Sequence, residues 1–85
     1  MDVRKTICDF LLSNVINDVD CLDDDRQLID SGLIDSISIV RVIIFLEKKF
    51  DVSFTQEDMS PENFETLRAM VNTINNSIRR KSISN

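Results

Sequence analysis

Glycine and proline are almost absent from this chain of 85 residues, which contains one of each. Because both residues are typical of tight turns, their scarcity argues against a sandwich or barrel built from many short strands. Helices need few of either in their interiors, so the sequence predicts an all-α protein. The length allows one small domain over residues 1–85 rather than two.

Apolar residues recur at helical spacing in three stretches of the chain. The first predicts a helix over about residues 3–16. The second predicts a helix over about 36–50, with Asp35 as its N-cap. This helix is apolar around much of its circumference, which indicates either a central position in the bundle or a face offered to a partner. The third predicts a helix over about 65–79, followed by a frayed tail at 80–85.

Two connecting segments complete the predicted fold. Residues 17–35 contain seven aspartates, and aspartate favours caps and turns over helix interiors. We interpret this stretch as a long loop in which Gly32 allows either a positive φ angle or close packing. Its expected anchors on the core are apolar: Leu22, Leu28, Ile29, Leu33 and Ile34. A short irregular helix is expected within 55–64. Thr55 and Asp58 have the spacing of a capping box, and Ser60 followed by Pro61 is a second signal for a helix start. The prediction is an irregular four-helix bundle, with three main helices and one short helix.

Composition argues against several classes of function. The net charge of −5 repels nucleic acid, so we expect no nucleic-acid partner. The longest apolar run, residues 42–46, is far shorter than the roughly 20 residues that cross a bilayer. The N-terminus also lacks a signal peptide, which predicts a cytoplasmic protein without membrane insertion.

The chain has no His, which removes the most common general base and metal ligand. Cys8 and Cys21 lack the spacing of a metal site and are expected to be reduced thiols.

Two clusters invite a chemical interpretation. The aspartates at Asp18, Asp20 and 23–25 suggest cation binding, but no starting position satisfies the ligand spacing of an EF-hand. We therefore interpret them as a solvated acidic loop and predict no metal ligand.

Ser36 follows Asp35, but the chain has no His to accept the proton of its hydroxyl. Catalysis by Ser36 would need a Ser-Lys pair, which the sequence leaves open. A phosphodiester attached to Ser36 would be stabilised at the positive end of the helix dipole.

The stretch LIDSGLIDSI at residues 28–37, followed by an apolar helix that ends in FLEKKFDV at 45–52, resembles the acyl carrier protein family. The resemblance extends over about residues 3–78 and includes the helix order, the long first loop and the acidic character. It implies that Ser36 carries a 4′-phosphopantetheine arm, transferred from coenzyme A by a separate phosphopantetheinyl transferase. It also implies that Asp35 flanks the attachment motif, that Ile37 contacts partners, and that the arm carries the reactive thiol. The protein itself is then not an enzyme.

The second helix departs from the carriers of fatty acid synthesis, which typically display acids there to meet basic partners. Only Glu47 is kept, and the matching positions hold Ser38, Arg41, Lys48 and Lys49. This departure argues against a carrier of housekeeping fatty acid synthesis. The stretches at 32–36 and 58–64 resemble specialised stand-alone carriers, such as D-alanyl carrier proteins and free-standing carriers loaded by AMP-forming ligases. Ile37 and Arg41 are the expected partner-binding residues. The implied partners are the transferase, an AMP-forming ligase that loads an acyl or aminoacyl group, and downstream acyl-transfer enzymes. We expect a monomer.

Two other functions stay open at this point. The first is an unmodified helical module that binds a partner through the apolar face of the second helix. The second is a small hydrolase that uses Ser36. Replacement of Ser36 by alanine separates these hypotheses, because only the unmodified interaction module would keep its function.

Overall fold

The computed structural model of the protein describes residues 2–16 and 19–83, without the side chains of 82 and 83. Three α-helices are present in these ranges: α1 (Val3–Asn14), α2 (Ser36–Phe50) and α3 (Leu67–Ile83). A short 3-10 helix at Pro61–Asn63 precedes α3. No strand occurs in the described ranges, and the predicted all-α fold with three main helices and one short helix is confirmed. The predicted loop residues 17 and 18, including Asp18, and the tail residues 84 and 85 lie outside them.

The helix ends differ from the predicted ends for local reasons. α1 ends at Asn14, two residues early, because the N–H of Ile16 donates to the carbonyl of Leu11, 2.7 Å away and five residues back. α3 begins at Leu67 because the hydroxyl of Thr66 accepts a hydrogen bond of 3.0 Å from the N–H of Ala69, which makes Thr66 the cap.

The predicted frayed tail is wrong for residues 80–83, which continue α3. Two cations tie this last turn to the segment after α2. The guanidinium of Arg80 lies 2.7 Å from the Asp58 carboxylate. The ammonium of Lys81 lies 2.6 Å from both the carboxylate and the carbonyl of Asp51. The sequence prediction missed these contacts because the paired residues are far apart in the chain.

α3 contacts α1, α2 and the 3-10 helix. The core combines apolar side chains from every α-helix and from both connecting segments. Its completely buried members include Ile7, Leu11, Leu28, Val42, Leu46, Phe64, Leu67, Met70 and Ile74. α2 buries Val42 and Leu46 completely and packs four half-buried apolar side chains against the core, namely Ile39, Ile43, Phe45 and Phe50. Ile37, Val40 and Ile44 are exposed, so one side of this helix faces solvent. Of the two positions predicted for α2, the structure favours the one that offers a face to a partner.

The described part of the acidic loop, residues 19–35, is held against the helices by apolar anchors and by its backbone. Leu22, Leu28 and Ile34 are buried, as predicted, and Ile29 and Leu33 are half-buried. The N–H of Leu28 donates to the carbonyl of Glu65 over 2.7 Å. Gly32 has a φ of +82°, and no heavy atom lies within 4 Å of a Cβ built on it, so the structure shows the positive φ angle and not the close packing.

The acidic loop is more than a solvated surface, because two of its aspartates form ion pairs. Asp24 pairs with Arg4 of α1, and Asp25 pairs with Arg68 of α3 at 2.7 Å. Hydrogen bonds from the Arg68 guanidinium lower the pKa of the Asp25 carboxyl. Within the described residues, no group of three or more potential ligand side chains could hold a metal ion. None of the described helices has the length and apolar character to span a membrane.

Candidate functional site

The acidic loop ends by placing Ser36 at the first position of α2. Asp35 is the N-cap, as predicted: its backbone is extended, and its carboxylate accepts a hydrogen bond of 2.8 Å from the N–H of Ser38. The carbonyl of Asp35 accepts from the N–H of Ile39 at 3.0 Å and begins the helical ladder. The side chain of Ser36 is exposed. A hydroxyl is therefore presented to solvent at a helix start of fixed geometry.

The electrostatics at this helix start suit an attached anion. Hydrogen bonds from the backbone N–H and the hydroxyl of Ser38 lower the pKa of the Asp35 carboxyl, which is therefore ionised at neutral pH. The first turn of α2 contains no acidic residue. Its free N–H groups carry the positive end of the helix dipole, which favours a phosphate group on Ser36. No side chain in this turn supplies a general base, so chemistry at the hydroxyl needs a base from outside.

A shallow groove of about 200 Å³ lies beside Ser36. Its walls come from the acidic loop, from the first turn of α2 and from the segment before α3, namely Ile29, Asp35, Ser36, Ile39, Met59 and Pro61. Met59 is 42% exposed, and Ile29 and Ile39 are half-buried. Four of the six lining residues are apolar, so the groove offers an apolar surface next to the hydroxyl.

The outward face of α2 displays an apolar stripe. Ile37, Val40 and Ile44 are 76%, 54% and 48% exposed. Because consecutive helix residues are rotated by about 100°, these three positions and Arg41 share one side of α2, away from the buried residue Leu46. Large apolar side chains exposed together in this way are typical of interaction surfaces.

The fully exposed charged side chains of α2 are all basic. Arg41, Lys48 and Lys49 are exposed. Glu47, the only acidic residue of the helix, is half-buried and accepts a hydrogen bond of 3.0 Å from the N–H of Phe54. We call the exposed set Ile37, Val40, Arg41, Ile44 and Lys48 the outer face of α2. Its three apolar and two basic side chains have no carboxylate among them.

Sequence reasoning placed Ser36, Asp35, Ile37 and Arg41 in the site, and the structure puts all four within the first two turns of α2 or at its cap. Ser36 borders the groove, whereas Ile37 and Arg41 belong to the outer face. The sequence prediction missed the groove residues Met59 and Pro61. They lie more than twenty residues from Ser36 in the chain, and no spacing rule connects them. Both cysteines are free thiols, as expected, with Cys8 half-buried and Cys21 exposed.

Comparisons with known proteins address the same region. The family model described as "Phosphopantetheine attachment site" matches residues 2–74. The D-alanyl carrier protein of Streptococcus suis (strain 05ZYH33) is 28% identical over 75 residues, which cover 87% of this chain and 92% of that protein. The D-alanyl carrier protein of Lactobacillus acidophilus is 29% identical over 72 residues, which cover 84% of this chain and 89% of that protein. The D-alanyl carrier protein of Streptococcus thermophilus (strain CNRZ 1066) gives the same identity and coverage.

Proposed function

Because the chain belongs to the family of proteins with a phosphopantetheine attachment site, we propose that Ser36 bears the arm and that the protein carries an acyl or aminoacyl group on it. The protein is a carrier and not an enzyme, and its cofactor is covalent 4′-phosphopantetheine. The thiol at the end of that arm supplies the thioester chemistry. The protein supplies the attachment point, its orientation and the surface that partners recognise.

The exposed hydroxyl of Ser36 at the start of α2 is the observation that carries this assignment. Other exposed or nearby serines are less suited. Ser13 and Ser53 are exposed, but Ser13 lies at the end of α1 and Ser53 lies in the segment after α2. The hydroxyl of Ser31 donates to the carbonyl of Leu28, and Ser77 is buried in α3. Ser38 is half-buried, and its N–H donates a hydrogen bond to the Asp35 carboxylate. Ser36 is exposed, so an enzyme can reach its hydroxyl. It also lies at a helix N-terminus, where the helix dipole and the free N–H groups stabilise a phosphodiester.

Attachment needs a separate enzyme, since α2 provides no base for the Ser36 hydroxyl. A phosphopantetheinyl transferase accepts that proton, and the serine oxygen forms a new bond to the phosphorus of coenzyme A that carries pantetheine. The bond from this phosphorus to the nucleotide part breaks, and adenosine 3′,5′-bisphosphate leaves. We place the protein in the cytoplasm, where coenzyme A and an AMP-forming ligase are both available.

We propose an aminoacyl group as the cargo, loaded by an AMP-forming ligase and passed to downstream acyl-transfer enzymes. The similarity to D-alanyl carrier proteins supports this choice. The packing of the core supports it as well. Phe45 stacks on Phe10 with ring centroids 3.8 Å apart, and Leu46 and Phe64 are completely buried. A long fatty chain would have to displace these side chains, whereas a small polar cargo stays in solvent. Strong amide shift changes across the core on loading octanoate would contradict this proposal.

We propose that partner enzymes dock on the outer face of α2, with Ile37 as the apolar contact and Arg41 as the charged contact. Ile37 is adjacent to Ser36, so a partner that covers it also reaches the base of the arm. Because this face carries cations and no carboxylate, its partners should present acidic groups around an apolar patch. This basic docking face is opposite in charge to that of the carriers of fatty acid synthesis, which typically display acidic residues on the second helix.

Charge reversal tests the docking surface. Arg41→Glu should raise the KM of the loading ligase for the holo-protein and leave its kcat nearly unchanged, because the residue contributes to docking and not to chemistry. Lys5→Glu is the matched control, since it makes the same change in net charge on an exposed position of α1. An equal change in KM for both variants would show that only net charge matters and would contradict docking through α2.

Intact-protein mass spectrometry tests the attachment itself. The protein is incubated with coenzyme A, Mg²⁺ and a broad-specificity phosphopantetheinyl transferase. We expect a phosphopantetheine-sized mass gain for the natural protein and for the neighbouring variant Ser38→Ala, and none for Ser36→Ala. If the natural protein gains no mass while its circular dichroism shows folded helices, the alternative of an unmodified interaction module that uses the α2 face is favoured instead.

A further inference from the structure

The groove beside Ser36 has walls suited to an apolar group that is close to the attachment point. Ile39 lies one turn along α2 from Ser36, and Ile29, Met59 and Pro61 close the other sides. From this geometry we infer that the groove binds the dimethyl segment of the phosphopantetheine arm. The inference rests on the proposed function, since it assumes that Ser36 carries the arm.

The chemistry of the arm restricts which of its parts can reach the groove. The branched dimethyl carbon is the only compact apolar element of the arm, and a single methylene separates it from the phosphate ester oxygen. The remaining length contains two amides and ends in the thiol, so it prefers water and lies farther from Ser36. Ser36 is itself one of the residues that line the groove. The dimethyl segment of an arm on Ser36 can therefore reach the groove when the arm lies along the surface.

The size of the groove agrees with this occupant. Its volume of about 200 Å³ is several times the roughly 30 Å³ that one water molecule takes up in the liquid, so the groove has room for a small branched group. The dimethyl carbon, its two methyl groups and its two other bonded carbons make a compact group of that kind. A long acyl chain does not fit, and a polar aminoacyl group gains nothing from walls made of Ile39 and Met59.

Binding in the groove would direct the arm away from the docking surface. On α2, Ile39 is rotated by about 160° from Ile37, because consecutive residues are about 100° apart. The resting arm would therefore lie between α2 and the segment that contains Met59, and the outer face of α2 would stay free for a partner. A partner that needs the thiol in its active site would have to withdraw the arm from the groove.

Methyl NMR of the holo-protein tests this inference. The protein is labelled at the methyl groups of Ile and Met, converted with coenzyme A and transferase, and checked by mass. We expect nuclear Overhauser cross-peaks from the arm methyls to the methyls of Ile39 and Met59. We also expect apo-to-holo shift changes that centre on Ile29, Ile39 and Met59. In Met59→Gln the cross-peaks to Ile39 should be lost, although the variant still acquires the arm.

Ile78→Gln is the matched control, because Ile78 of α3 has a similar exposure, 37%, and is not part of the groove. It should keep the cross-peaks. Arm methyls with free-solution shifts and no cross-peaks in a fully converted protein would overturn the inference and leave the proposed function intact. Contacts from the arm methyls to Ile37 or Ile44 would overturn it in favour of the outer face. Failure to acquire the arm at all would overturn both proposals.

Discussion

Gly32 lies in the loop that leads to Ser36, and its backbone conformation gives a direct test of the structure. Its φ of +82° lies in the left-handed region that residues with a Cβ rarely adopt. Its N–H donates to the carbonyl of Ile29 over 3.0 Å, which closes a turn next to the groove. We predict that Gly32→Ala lowers the stability of the protein and leaves Ser36 a substrate for arm transfer.

The magnitude follows from three contributions. An L-residue in the left-handed region costs about 1–2 kcal/mol. No heavy atom lies within 4 Å of a Cβ built on Gly32, so no clash adds to this cost. The alanine also restricts the unfolded chain, which favours the folded state by about 0.4–1 kcal/mol. The free energy of unfolding should therefore fall by about 1 kcal/mol, and Tm by about 4–8 °C for a domain of this size.

Thermal unfolding followed by circular dichroism at 222 nm measures this change, with the reaction checked for reversibility. Gly32→Asn is the matched variant, because asparagine adopts the left-handed region more readily than alanine, and it should lose less stability. If Gly32→Ala is as stable as the natural protein, the positive φ is incorrect. If it is destabilised by several times the expected amount, the assumption of open space around Gly32 is incorrect.

Three further predictions concern the acidic loop and the ends of α2. Leu28→Ala, at a completely buried anchor of the loop, should lower the free energy of unfolding by about 2–5 kcal/mol in urea titrations. Asp51→Gly should raise Tm. Asp51 ends α2 with a φ of +52°, which glycine adopts without strain. The ion pair with Lys81 that is lost is exposed and contributes little to stability. The pKa of Asp35 is lowered from its ordinary value of 3.8, so its contribution to stability is complete above that pH and is lost as the pH falls through the lower, folded-state pKa. Asp35→Asn should therefore match the natural protein at pH 7 and show a weaker loss of Tm between pH 5 and 2, because asparagine also caps helices.

Features encoded by neighbouring residues were predictable from the sequence. The spacing of apolar residues gave the three α-helices, and Asp35 before the apolar run gave the cap of α2. Thr55 and Asp58 form the expected reciprocal capping bonds, at 2.9 and 3.1 Å, yet residues 56–59 form turns. The short helix begins at Pro61 after Ser60, which is the second of the two expected starts. A capping pair fixes one turn, but it does not extend a helix unless apolar residues follow to bury one side.

Features that depend on distant residues could not be predicted from local patterns. The C-terminal turn of α3 is held by Asp51 and Asp58, and its bases alone suggested a frayed end. The groove beside Ser36 needs Met59, which only the folded chain brings to α2. The sequence left two positions for α2, and the exposure of Ile37, Val40 and Ile44 in the folded chain decided between them. The proposal that Ser36 is the attachment residue came from the resemblance of residues 28–37 and 45–52 to the acyl carrier protein family, because an aspartate, a serine and an isoleucine alone are a weak signal.

The modification state of the protein in a cell that makes coenzyme A tests the central claim most directly. Trypsin releases residues 27–41 as one peptide, which contains Ser31, Ser36 and Ser38. Fragmentation of that peptide locates any added group to one of the three serines. Our account predicts a phosphopantetheine group on Ser36, and its loss in Ser36→Ala. A peptide that is unmodified in every preparation, or modified at Ser31 or Ser38, would contradict it.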